Sequence, residues 1–171
     1  MQERKEIVTV KGNPLTLLGP EVNVGDQAPD FEVLDADLSA VELSAYSGKV
    51  CIISSVPSLD TPVCDIMTRR FNEADGSLGD DIVILTISMD LPFAQKRWCG
   101  QAGVESVQTL SDHLNAEFGE AFGLLIKELR LLARAVFVVD KQGVIRYKEI
   151  VGELTEEPNY DAALEAAKKL L

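Results

Sequence analysis

Two apolar runs dominate the chain, Val50-Cys51-Ile52-Ile53-Ser54-Ser55-Val56 and Ile82-Val83-Ile84-Leu85-Thr86-Ile87-Ser88. Neither alternates with polar residues, which marks strands buried on both faces. The first predicts a strand over 49–56, the second a strand over 82–88, and the stretch from Val63 to about Ala74 between them reads as a helix. Strand, helix and strand in this order predict parallel pairing under a crossover helix. Upstream, Ile7-Val8-Thr9-Val10 and Leu15-Thr16-Leu17-Leu18 flank the turn signal Lys11-Gly12-Asn13-Pro14, predicting a hairpin over about 6–18. A loop over 25–30 leads into a short strand, Phe31-Glu32-Val33-Leu34.

Downstream, Pro92 suits the first position of a helix running from Phe93 to Cys99, with Gly100 as its stop. A weaker helical pattern covers 117–125, interrupted by Gly119 and Gly123. Ala135–Val139 and Val144–Tyr147 flank Asp140-Lys141-Gln142-Gly143, a strong hairpin signal. Ala163, Leu164, Ala167 and Leu170/Leu171 stripe a closing helix from Tyr160 onward. With no repeat, linker or low-complexity tract, residues 1–171 are expected to form one α/β domain, a mixed sheet with helices on both faces.

Composition narrows the function classes. The 171 residues are 46% hydrophobic and 26% charged, enough for a full core. No run approaches the ~20 apolar residues of a membrane helix, and Met1–Glu6 lacks the apolar segment of a secretory signal. A cytoplasmic location is expected. The net charge of −12 argues against nucleic acid or an anionic membrane as partner. Three cysteines, Cys51, Cys64 and Cys99, are too few for a secreted disulfide scaffold. With a single histidine, His113, and no C-x-x-C or H-x-x-x-H spacing, no metal or other cofactor is expected; His113 is expected to cap or flank a helix start.

The chemistry concentrates in Pro57-Ser58-Leu59-Asp60-Thr61-Pro62-Val63-Cys64, where a buried strand ends in a proline-punctuated loop and a helix begins. A thiolate is the reactive form of cysteine, and an ordinary thiol is only about 3% ionised at pH 7. The first turn of a helix offers unpaired N–H groups and the positive end of the macrodipole, which favour S⁻. Thr61 offers a hydroxyl to the sulfur or to an incoming oxygen. The ordinary alternative is a small core residue, as most cysteines are.

Cys99 falls near a helix C-terminus, where the dipole disfavours a thiolate, so Cys64 reads as the attacking sulfur and Cys99 as a neutral partner that reacts later. Burial beside Trp98 explains Cys99 equally well. Cys51, inside a strand, reads as structural. Arg134 opens a strand, at the end of the sheet where ligands gather in α/β folds, although a surface role is its ordinary reading. Asp60 and Asp65 oppose a thiolate at Cys64, and Arg134 is the natural cation to offset them.

These residues resemble those of a known family. The segment 57–64 is similar to the peroxidatic-cysteine segment of the bacterial thiol peroxidases, the atypical two-cysteine peroxiredoxins. The likeness continues through Ser88-Met89-Asp90-Leu91-Pro92-Phe93-Ala94-Gln95-Lys96-Arg97-Trp98-Cys99 and through residues 126–140, and Gly12-Asn13-Pro14-Leu15-Thr16-Leu17 matches the family's amino-terminal hairpin. The resemblance implies a thioredoxin-like fold with an added hairpin. It implies Cys64 as peroxidatic and Cys99 as resolving cysteine, joined in a redox-active disulfide, with Thr61 and Arg134 orienting thiolate and peroxide. Pro57 is expected to shield the sulfur at the pocket wall. A homodimer and reduction by thioredoxin are also implied.

The expected reaction is attack of the Cys64 thiolate on a hydroperoxide, giving a sulfenic acid that Cys99 condenses into a disulfide. Because disulfide Cα atoms lie about 4.4–6.8 Å apart, the first turn at Cys64 and the helix end at Cys99 are expected to unwind in each cycle. Phe93, Leu124 and Leu125 are candidates to line a pocket for bulky peroxides. Two rivals share the fold: a thiol–disulfide oxidoreductase, weakened by the absence of C-x-x-C, and a non-catalytic redox sensor.

Overall fold

The computed structural model describes residues 1–75, 78–105 and 107–171. Its strands are β1 (Glu3–Val10), β2 (Asn13–Leu18), β3 (Glu32–Leu34), β4 (Ala40–Glu42), β5 (Val50–Ser55), β6 (Ile82–Ser88), β7 (Gln108–Ser111), β8 (Leu125–Ile126), β9 (Leu131–Leu132), β10 (Ala135–Val139) and β11 (Ile145–Ile150). The helices are α1 (Pro62–Asp75), α2 (Pro92–Ala102), α3 (Glu117–Ala121) and α4 (Tyr160–Lys168), with a 3-10 turn at Leu43–Tyr46. Among the described residues no helix is long and apolar enough to cross a membrane.

The large sheet runs β11-β10-β5-β6-β7-β3-β4. Its centre is parallel, as continuous apolar strands require: β5 pairs β6 with Ile52 opposite Ile84, and β6 pairs β7 with Thr86 opposite Thr109. β10 lies antiparallel between β5 and β11, so the sheet is mixed. A second sheet, β1-β2-β8-β9, carries the amino-terminal hairpin. That hairpin starts at Glu3, and its turn is tighter than the sequence suggests. Lys11 (φ 49°) and Gly12 (φ 80°) alone make it, since two left-handed residues match the twist of a hairpin, and Asn13-Pro14 already belong to β2.

The pleat of β5 divides the core. Val50, Ile52 and Val56 face Met67 and Phe71 of α1 and Ala163 and Ala167 of α4. Cys51 and Ile53 face the other way, onto Phe31, Phe118, Phe122 and the small sheet. Phe122 meets Phe31 and Phe137 edge-on at centroid distances of 5.7 and 5.1 Å. Each such fully buried side chain contributes about 1.5–3 kcal/mol of apolar transfer. Three helices therefore flank one face, while the other is covered by the small sheet and the short α3.

Two helix ends differ from the sequence reading. α2 passes through Gly100 and stops at Gly103, which adopts φ 67° and donates its N–H to the Cys99 carbonyl. Gly100 has an ordinary helical conformation, so its lack of a Cβ is not needed there. α3 ends at Ala121 because Gly123 (φ 65°) turns the chain and 125–126 become β8. Its N–H groups at Phe118 and Gly119 are held by the Asp112 carboxylate, the role expected of His113.

Candidate active site

β5 delivers the chain to the edge of the sheet where β6 and β7 also end. Val56 still donates to the Ile87 carbonyl at 3.0 Å, and the loop then leaves the sheet through the buried Pro57. Asp90, just beyond the end of β6, fastens this loop. Its carboxylate accepts from Ser58 Oγ (2.7 Å), from the Leu59 N–H (2.8 Å) and from Ser88 Oγ (2.8 Å). Thr61 then caps α1: its carbonyl accepts the first helical bond, from the Asp65 N–H at 2.9 Å. Pro62 occupies the first helical position, where a missing N–H costs nothing. Cys64 is the third residue of the helix, in the turn whose N–H groups have no intrahelical acceptor.

The Cys64 side chain is fully buried, and it faces a cation. Nη1 of Arg134 lies 3.1 Å from Cys64 Sγ and 3.7 Å from Met67 Sδ. Nε and Nη2 both donate to the Leu154 carbonyl, at 3.2 and 2.9 Å. Arg134 is only 2% exposed, which replaces the surface role that its local sequence favours. Among the described residues no carboxylate pairs with it; the salt bridges involve other groups. Tyr160 feels its charge, but burial and the bond donated to Glu157 push the Tyr160 phenol up, so it stays neutral.

The Thr61 hydroxyl donates to the Ser58 carbonyl at 3.0 Å rather than to the sulfur, leaving its lone pairs as acceptors. Asp65 is neutralised by Arg69 at 3.1 Å, and Asp60 is exposed. Cys99 lies partly exposed in the last turns of α2, with Sγ 3.5 Å from Thr109 Oγ1. All three cysteines are free thiols. Burial pushes the Cys51 thiol up to about 12, consistent with a structural residue. Leu124 and Leu125 are buried in the core on the opposite face of the sheet from Cys64, so they line no pocket at the sulfur; Phe93 is exposed. A cavity of about 310 Å³ opens between the loop and α2, lined by Leu59, Asp60, Asp90, Ala94, Arg97 and Trp98, among others.

Two participants escaped the sequence reading. Asp90 stands at the end of a buried strand, a position that signals a site-facing carboxylate in α/β sheets. Leu154 acts through its backbone carbonyl, which no side-chain pattern announces.

The sequence matches the Redoxin family model over residues 23–164. It is 58% identical over 164 residues to the thiol peroxidase of Bacillus subtilis (strain 168), covering 96% of this chain and 98% of the relative. It is 57% identical over 163 residues to the thiol peroxidase of Staphylococcus aureus (strain COL), covering 95% and 98%. The peroxiredoxin-like protein from Aquifex aeolicus superposes with a TM-score of 0.91 at 41% identity, over 100% of both chains. The thiol peroxidase from Chromobacterium violaceum, at 19% identity and a TM-score of 0.83 over 95% of each chain, shares the fold.

Proposed function

The chain belongs to the Redoxin family, and on that premise we propose that Cys64 is the sulfur with which it reduces hydroperoxides. It is a peroxiredoxin-type thiol peroxidase. The observation that carries the assignment of Cys64 is the buried Arg134 guanidinium. A charge taken out of water without a counter-charge costs several kcal/mol. Among the described residues, the group in contact with Nη1 that can carry a negative charge is the Cys64 sulfur. A thiolate there satisfies the arginine, and the arginine in turn keeps the thiolate.

The thiolate attacks the terminal oxygen of R–O–OH. The O–O bond breaks, RO⁻ leaves and takes a proton from solvent, and Cys64 becomes a sulfenic acid. Full ionisation accelerates an ordinary cysteine at pH 7 by only about 30-fold. The rest comes from donors aimed at the departing oxygen. On this reading Arg134 and the N–H groups of the first turn of α1 supply those donors, and Thr61, next to that turn, orients the peroxide. Pro57 walls the pocket.

Cys99 then attacks the sulfenic sulfur: S–H and S–OH give the Cys64–Cys99 disulfide and water. Cys64 sits in α1 and Cys99 in α2, helices that pack over neighbouring strands, so the first turn of α1 and the end of α2 unwind to let the sulfurs meet. Thioredoxin reduces the disulfide by thiol exchange, and the working unit is a homodimer; both statements rest on the family resemblance. The test is NADPH oxidation with thioredoxin, its reductase and either hydrogen peroxide or cumene hydroperoxide. Wild type turns over and Cys64→Ser does not; a Cys64→Ser protein that turns over overturns the assignment.

A further inference from the structure

One edge of Arg134 addresses the sulfur; the other leads to the amino-terminal hairpin. The Leu154 carbonyl that holds Nε and Nη2 lies in an irregular segment between β11 and α4, where no sheet ladder fixes the backbone. β1 fixes it instead. The Leu154 N–H donates to the Thr9 carbonyl, and the Thr9 N–H donates to the Gly152 carbonyl, both at 2.8 Å. Glu153, between them, closes the joint. Its Oε1 accepts from Thr9 Oγ1 and from the Gly12 N–H, each at 2.9 Å. Its Oε2 accepts from the Thr155 N–H at 3.0 Å and from Thr155 Oγ1 at 2.8 Å. These donors, the Gly12 and Thr155 N–H groups foremost, hold the Glu153 carboxyl down to about 2, so it stays ionised throughout the neutral range.

We propose that Glu153 and Thr9 are positioning residues for the peroxidase reaction: through them the hairpin fixes the Leu154 carbonyl that aims Arg134 at Cys64. The inference rests on the roles given above to Cys64 and Arg134. A planar guanidinium with two nitrogens on one carbonyl has its third nitrogen placed by that carbonyl. A shift of the 152–154 segment therefore moves Nη1 relative to the sulfur, and a misplacement of about 1 Å at a reacting centre costs up to about 10²-fold in rate. The hairpin thereby acquires a role in the chemistry although it contributes no atom to the pocket.

The test is a double-mutant cycle on the rate of Cys64 oxidation by limiting hydroperoxide, followed by stopped-flow fluorescence. Glu153→Ala lowers the second-order rate constant about tenfold. Glu153→Gln loses less, because its carbonyl oxygen still accepts from Thr9 and Gly12 while its amide cannot accept from Thr155. In the Arg134→Gln background Glu153→Ala has no further effect, which a merely structural role does not produce. An equal loss in both backgrounds, or a Glu153→Ala protein at the wild-type rate, overturns the positioning role and leaves Arg134 in place. Arg134→Gln at the wild-type rate instead overturns the site assignment, and the inference with it. Should Glu153→Ala fail to fold, Thr9→Val removes only the hydroxyl donor and is expected to show a severalfold loss with the same dependence on Arg134.

Discussion

Arg134 approaches Cys64 to 3.1 Å from 70 residues along the chain, and both side chains are shut away from solvent. The pairing of a buried cation with a buried sulfur, and among the described residues with no carboxylate, is what separates this cysteine from Cys51. Both are buried, yet Cys51 has a backbone carbonyl beside its sulfur, 3.9 Å away at Lys49, where Cys64 has a guanidinium.

Replacing Arg134 removes the counter-charge and a donor aimed at the leaving oxygen together. Arg134→Gln is expected to lower the rate of sulfenic acid formation by about 10²–10³-fold, the loss typical of a donor to a developing oxyanion. Arg134→Lys recovers little, since a single ammonium cannot bind the Leu154 carbonyl twice and reach the sulfur as well. Stopped-flow oxidation of the three proteins measures this; a lysine variant at the wild-type rate contradicts it.

The disulfide demands motion at both cysteines. Hydrogen exchange is expected to show lower protection, in the oxidised protein than in the reduced one, of the N–H groups that bond back to the first turn of α1, beginning with Asp65, and of those in the last turn of α2. Asp90→Asn, which weakens the fastening of the loop at Ser58 and Leu59, is expected to speed condensation with Cys99 while slowing attack on peroxide. Equal protection in the two redox states contradicts the unwinding.

Asp112 sets a pH dependence of stability. Burial raises its carboxyl from 3.8 to about 6 in the folded chain, against the N–H bonds of Gly119 and Phe118 that act in the other direction. The folded state therefore keeps a proton that the unfolded state has lost. The resulting stabilisation is full below about pH 4 and vanishes as the pH rises through about 6; its size is at most about 3 kcal/mol. Urea unfolding at about pH 4 and about pH 7 is expected to show this loss in wild type and not in Asp112→Asn. Parallel pH profiles contradict it.

Cys51 is expected to be chemically silent. With its thiol raised to about 12, less than about 0.1% is ionised at pH 8. Iodoacetamide on the folded, reduced protein is expected to label Cys64 and Cys99 and spare Cys51. Labelling of Cys51 at the rate of Cys99 contradicts this.

The parallel core and the position of Cys64 were legible because their causes are local. Strands buried on both faces read as unbroken apolar runs, and Pro57 and Pro62 punctuate the step from strand to helix. Arg134 was legible only in part: its place at a strand end and the carboxylates beside Cys64 point to it, but its neighbours are Ala133 and Ala135, and its burial depends on partners at 64 and 154 that local sequence does not show. Gly100 and Gly103 are equally good helix stops in sequence, and the choice between them depends on which carbonyls lack a partner at the helix end. β7, β8 and β9 have two to four residues each and carry no periodicity of their own. β7 and β8 form on the edges of the longer strands β6 and β2, and β9 pairs in turn with β8.

The most direct measurement is to treat Cys99→Ser with substoichiometric hydroperoxide in the presence of dimedone and to map the adduct by mass spectrometry. With no resolving thiol, the sulfenic acid persists long enough to be trapped. The adduct is expected on Cys64, and to vanish in Cys64→Ser/Cys99→Ser. An adduct on Cys51, or an untouched Cys64 after the peroxide is consumed, contradicts the account.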